Sequence, residues 1–329
     1  MSPRTSTRRA FLRRAGSTVL AASSLPLLTT ACDSDGDEPA GAAPATEDPT
    51  ESADDDIVAG ALRDATRLAA WYAATIDRHG DLRPLLTGLR ADVDEHVDVL
   101  TGAAGDATET PPVPTVARSA RAARRRLADI EKRSVRRRRQ DALDAASGEL
   151  ARLLASMAAC HAQHLRSLDP RDGRQWASTA PDPAAVADDV SPVTDPMNDT
   201  LAGEHAAVYA YGVIGGRLDF GTAPARAATA AWEAHRLRAA DLTALVEAAG
   251  EDPVAAEAGY RLPAPVDDVS DAEAVARLVE DRCAVLYASL AATTVGEVRA
   301  YAVDALLDAA TRGLDWGAPT SPLPGVALP

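Results

Sequence analysis

Apolar residues recur along most of this chain at alternating spacings of three and four, the repeat of an amphipathic helix. Between Ile57 and Arg78, Leu62, Ala65, Leu68, Ala69 and Tyr72 share one side, and Gly80 closes the stretch. A second stripe, Leu85, Leu86, Leu89, Val93, Val97 and Leu100, predicts a helix from Leu82 to about Leu100, with Pro111, Pro112 and Pro114 marking the loop after it. A third stretch begins near Thr115 with Val116, Ala120, Ala123, Leu127 and Ile130. Ser147 and Gly148 give a turn into a fourth, on which Leu150, Leu153, Leu154, Met157, His161, His164 and Leu168 lie together. Past a break studded with Pro170, Pro181, Pro183, Pro192 and Pro196, four more helices are predicted at about Pro196 to Phe220, Pro224 to Ala249, Asp271 to Thr293 and Gly296 to Gly313. No strand pattern of any length appears. The expected fold class is all-α, with two antiparallel four-helix bundles at 57–168 and 197–315, a proline-rich linker at 169–196 and a proline-rich tail at 316–329. Each bundle, at about 110 residues, is large enough to own a core.

The first 56 residues do not fit that pattern. Thr7, Arg8, Arg9, Phe11 and Leu12 form a twin-arginine export signal, and a short apolar run leads into TTAC, ending at Cys32. The run is interrupted by Ser23, Ser24 and Pro26 and is shorter than the roughly 20 apolar residues of a spanning helix. Residues 1–31 are therefore expected to be removed, and Cys32 to carry a diacylglyceryl anchor that places the chain on the outer face of the cytoplasmic membrane. An ordinary signal peptide cut after a small residue is the alternative. Residues 32–56 are acidic and lack large apolar side chains, as a flexible tether would be.

The formal net charge is −15, and loss of five arginines with the leader takes it to −20. A surface this acidic repels phosphate backbones, so nucleic acid is excluded as the general partner. The membrane, through the lipid, an envelope protein and a second copy of the chain are the partners left. Arg118 to Arg139 runs against this balance. Its arginines circle the helix and read as a solvated face balanced by acids such as Asp129 and Glu131, the alternative being an anionic lipid surface. Beyond Cys32 only Cys160 and Cys283 remain, both in helical patterns, and they read as small buried residues.

Four separated segments, LAGEHAAVYAYGVIGGRL from Leu201, WEAHRLRAADL from Trp232, AEAGYRLPAPV from Ala256 and EDRCAVLYASL from Glu280, closely resemble the bacterial ferritin-like domain of unknown function found in exported proteins. The resemblance covers about Pro196 to Pro324, and a weaker likeness extends to LARLLASMAACHAQHL from Leu150. It implies a ferritin-like four-helix bundle and no assigned activity.

That superfamily invites a di-iron or di-manganese centre, which takes Glu-x-x-His motifs on two helices and a carboxylate on each of the others. The C-terminal block has no Glu-x-x-His. Glu204 and His235 face inward, but His235 is followed by Arg238, Glu280 by Cys283, and Asp308 by Arg312. The residues read instead as a buried polar network of Glu204, His235, Arg238, Glu280 and Arg312, in which the arginines neutralise Glu204 and Glu280 and His235 bridges. His205, next to Glu204, faces elsewhere and suits a surface hydrogen bond. In the first block Asp92, Glu95 and His96 on one helix and His161 and His164 on another make a second metal candidate. No nucleophile–base pair or phosphate loop is visible. The expected function is a membrane-tethered binding or scaffold module with no cofactor and no catalytic residue. The alternatives are an iron or manganese oxidase or storage protein, using Glu204, His235 and Glu280 or Glu95, His96, His161 and His164, and a carrier of a small apolar ligand.

Overall fold

The computed structural model describes residues 49–104, 111–171, 176 and 178–326, with side chains from residue 53. The export signal at Arg8 and Arg9, Cys32 and most of the tether lie outside the described residues. Among the described residues there are nine α-helices and no strand. In chain order they are α1 (Pro49–Arg78), α2 (Arg83–Ala104), α3 (Ala120–Asp144), α4 (Gly148–Leu168), α5 (Pro183–Val190), α6 (Thr194–Arg217), α7 (Ala223–Ala248), α8 (Val269–Thr293) and α9 (Gly296–Asp315). The chain is all-α, as its periodicity predicts. None of these helices is long and apolar enough to cross a membrane.

Local signals set the helix starts. Ser119, Ser147, Thr222 and Asp268 each accept a backbone N–H from the first turn of α3, α4, α7 and α8. Helix α1 begins at Pro49, so the last residues of the segment read as tether are helical. Within the stretch read as a linker, α5 packs on α7 and buries Val186 and Val190. The prolines end helices there without preventing a short one.

The two halves share their main apolar core. The largest apolar cluster runs from Val58 and Leu62 in α1 through Leu154 and Met157 in α4 to Leu290 in α8 and Leu306 in α9. Two smaller clusters lie at the outer ends, one around Tyr72, Leu89 and Leu127 and one around Tyr211, Ile214 and Trp316. The halves meet this closely because α4 is apolar nearly all round, with sixteen of its 21 residues buried. At Gly148 the carbonyl oxygen of Ala292 lies 2.1 Å from where a Cβ would stand, so only glycine admits this approach. Arg299, 3% exposed, donates from α9 to the carbonyls of Ala142 and Ala145 where α3 ends, and Arg139 makes a two-point ion pair with Asp304.

The proline-rich tail also belongs to the joint. Leaving α9, it crosses to the N-terminal half. The Thr320 hydroxyl donates to Asp92, the Ser321 N–H to Gln163, and the carbonyls of Pro322 and Pro324 accept from His96 and Ser156. Leu323 is buried between them, and Gly325, at φ +75°, turns the chain where Ala284 leaves no room for a Cβ.

Candidate functional site

Two buried polar centres lie in the fold, one in each half. In the C-terminal half, the inward stripes of α6, α7 and α8 bring Glu204, His235 and Glu280 together. His235 is fully buried and uses both ring nitrogens: Nδ1–H donates to Glu204 Oε2 at 2.7 Å and Nε2–H to Glu280 Oε1 at 3.3 Å. Two tyrosines complete the shell, Tyr287 donating to Glu204 Oε1 and Tyr211 to Glu280 Oε1, each at 2.6 Å. The Tyr211 ring stacks on His235 with centroids 5.3 Å apart.

Burial works against a charge on His235, yet Glu204 and Glu280 on either side hold its pKa well above the usual value. Burial likewise opposes ionisation of Glu204, and His235 and Arg238 overcome it and lower its pKa. Burial, reinforced by the neighbouring glutamates, keeps both tyrosines protonated as donors. The centre is an imidazolium clamped between two carboxyl groups.

Arg312 Nε lies 3.3 Å from Glu280 Oε1 and forms an ion pair without an aligned hydrogen bond. Arg238 acts on Glu204 through its charge and not through a hydrogen bond: it turns to Asp308 on α9, which it shares with Arg312, and lies over the Tyr287 ring at 5.7 Å. Glu204, His235 and Cys283 offer ligand atoms within 4.8 Å of one another, the spacing of a metal site. Both nitrogens of His235 and both oxygens of Glu204 are engaged, Cys283 is kept a thiol by burial, and two guanidinium groups stand close by. Glu280 Oε2 alone among these carboxyl oxygens lacks a partner. His205 donates to the carbonyl of Val254 at 3.2 Å, outside the centre.

The N-terminal centre is organised around Glu131, a residue that the arginine-rich sequence of α3 makes look solvent-facing. It is 0% exposed. His161 Nδ1–H donates to its Oε2 at 2.7 Å, His164 Nδ1–H to its Oε1 at 3.0 Å, and the Tyr72 hydroxyl to the same Oε1 at 2.5 Å. His164 Nε2–H reaches Asp92 at 3.1 Å and lies 3.4 Å from Cys160 Sγ. Glu95 takes no part, and Glu131 fills the carboxylate role expected of it. Burial opposes the charge on Glu131, but His161 and His164 hold its carboxyl far below the usual range. Burial opposes charge on His164 as well, and Cys160, Glu131 and Asp92 raise its pKa well above normal.

His96 differs from these two. Burial and the nearby His161 lower its pKa to about 3, so the ring is neutral, with Nε2–H donated to the Pro322 carbonyl at 2.6 Å. The two sets Glu131, His161, His164 and Asp92, Cys160, His164 each bring ligand atoms within 4.8 Å, and they share His164. Sequence periodicity groups His96, His161 and His164. It misses Glu131, because ten basic neighbours mask one inward acid, and it misses Tyr72, because a tyrosine on an apolar stripe reads as core.

Residues 196–328 match the family described as a domain of unknown function (DUF4439). A crystal structure of a conserved hypothetical protein from Mycobacterium tuberculosis is 30% identical over 37% of this chain and 91% of its own, with a TM-score of 0.35. No relative is found among the curated proteins.

Proposed function

We propose that this chain is an exported lipoprotein, anchored by Cys32 at the outer face of the cytoplasmic membrane, whose helical body is a binding module and whose ferritin-like C-terminal bundle works without a metal. The observation that carries the metal-free reading is His235, which spends both nitrogens on Glu204 and Glu280 and so has no lone pair to offer a cation. Arg238 and Arg312, on the next layer, repel a divalent ion from the same space. The envelope location rests on Arg8, Arg9 and the TTAC box.

Thermal melting of the purified protein with EDTA, Fe(II) or Mn(II) tests the first part, because a ligand of the folded state raises the melting temperature by mass action. No rise is expected. A rise abolished by Glu204→Gln overturns the reading. The second reading, a metal in the N-terminal half, is favoured by the convergence of Glu131, His161 and His164, and predicts a rise abolished by Glu131→Gln instead. For export, changing both Arg8 and Arg9 to lysine is expected to leave precursor in the cytoplasm, since the receptor reads the guanidinium pair. Cys32→Ala is expected to take up no labelled fatty acid.

A further inference from the structure

A cavity of about 330 Å³ lies between α1, α2, α3 and α4, beside the Glu131 centre, whose His161 forms part of its lining. That volume falls at the lower end of small-molecule sites, which run from about 300 to 1,000 Å³. Leu68, Leu100 and Met157 form an apolar wall. Arg67, Arg126, Arg133, Arg137 and Arg138 also line it, against a single carboxylate, Asp64. In a chain of net charge −15 this is a local reversal of sign.

Two residues of the lining each carry a buried polar atom without a partner. Arg138 is 4% exposed; its Nη2 donates to Asp64 at 3.1 Å and pairs with Asp141 at 2.7 Å, while Nη1 has no acceptor. His96 is 1% exposed; its Nε2–H is held by Pro322, which leaves Nδ1 as a bare lone pair with no donor. Unmet buried groups are costly, and each names what would satisfy it: an acceptor for the guanidinium and a donor for the imidazole. Arg126 already lies over the Trp71 ring at 5.4 Å, so an aromatic or aliphatic body entering there meets a stacked, pre-ordered edge. A second recess, of about 190 Å³, shares Arg67 and Trp71 and continues along Pro111 to Pro114.

We infer that this cavity binds a small organic anion, with its carboxylate or phosphate head among the lining arginines, Arg138 included, and an apolar body against Leu68, Leu100 and Met157. The inference deepens the binding-module reading and rests on it. Ligand entry is past the exposed arginines Arg126, Arg133 and Arg137, whose field attracts anions and excludes cations.

The test uses 8-anilino-1-naphthalenesulfonate, which carries an anion, an N–H and an aromatic body, with the purified full-length protein in EDTA. Saturable one-site fluorescence is expected, displaced by decanoate or decyl phosphate, whichever head the site prefers, and not by decyltrimethylammonium. Arg138→Gln is expected to weaken binding about ten-fold, the loss of one charge-assisted contact. Because that change also breaks pairs with Asp64 and Asp141, the exposed double variant Arg126→Gln/Arg133→Gln provides a second reading: weaker binding with a shallower salt dependence. Absent saturable binding, equal displacement by the ammonium amphiphile, or unchanged affinity and salt dependence in the double variant each overturns the inference. Metal-dependent melting with intact probe binding would instead break only the metal-free reading.

Discussion

The Thr320 hydroxyl donates to Asp92 Oδ2 at 2.6 Å across 228 residues of chain, and Asp92 in turn accepts from His164 at 3.1 Å. The C-terminal segment is thus wired into the polar centre of the N-terminal half. His96, Gln163 and Ser156 take the neighbouring backbone groups of the same segment, so the strap ties together two helices of the other half, α2 and α4.

Thr320→Val removes one hydrogen bond and leaves Asp92 its histidine, an expected loss of about 1 kcal/mol in urea unfolding. Ending the chain after Ala318 strips all four contacts, exposes the site of Leu323 and leaves His96 Nε2–H, Gln163 Oε1 and the Ser156 hydroxyl without those partners. The truncated protein is expected to lose several times the single-mutant value. An equal loss from both would mean that Thr320 alone carries the joint.

How much of this was legible in the sequence depends on what each residue competes with. Glu204, His235 and Glu280 interrupt otherwise apolar stripes, so helical spacing alone turns them inward. Glu131 obeys the same spacing, between Leu127 and Val135, but the arginines around it make every face of α3 look wet. The partner of Arg238 was not legible, because Glu204 and Asp308 both lie on helices beside it and the choice depends on helix rotation and rise. The strap was hidden for another reason. Proline, serine and glycine read as loop, and its order comes from partners more than 150 residues away.

Stability is expected to peak near pH 6.5. His164 and His235 have raised folded-state pKa values, so their contribution is complete below the unfolded value of about 6.5 and is lost as the pH rises toward the folded one. Each contributes a slope of at most about 1.4 kcal/mol per pH unit on that side. His96 acts in the opposite direction: it stays neutral down to about pH 3, so below 6.5 the unfolded chain takes up a proton that the fold does not. Glu131 and Glu204, both depressed, add a further loss once the pH falls through about 4.3. Urea unfolding from pH 4 to 9 reads this directly. A flat profile above pH 7 would mean that both clamped histidines are neutral in the fold.

Two glycines make a matched pair. Gly148→Ala places a methyl group on the Ala292 carbonyl, where backbone on both sides must move, and is expected to cost about 1–3 kcal/mol. Gly88, exposed in the second turn of α2 with open space around it, is expected to gain about 0.5–1 kcal/mol on the same substitution. Opposite signs in thermal melting are the expected result. Two gains would place the α4 start away from α8.

The last prediction concerns the clamp itself. Removing the Glu204 carboxylate leaves the Tyr287 hydroxyl and His235 Nδ1–H without an acceptor in a dry core, while Glu280 still holds the other side of the ring. Glu204→Ala is expected to cost about 3–5 kcal/mol, the usual penalty for breaking a buried pair. Glu204→Gln keeps the shape and one of the two acceptor oxygens, with its NH2 in place of the other, so it is expected to cost less than alanine. Both variants remove one of the two carboxylates that hold the His235 pKa up, so both are expected to lose part of the alkaline slope seen in the wild type. That second readout separates the clamp from simple packing, because a cavity left by alanine lowers stability equally at pH 6 and pH 8. If Glu204→Ala and Glu204→Gln cost the same and the slope is unchanged, His235 is held by Glu280 alone.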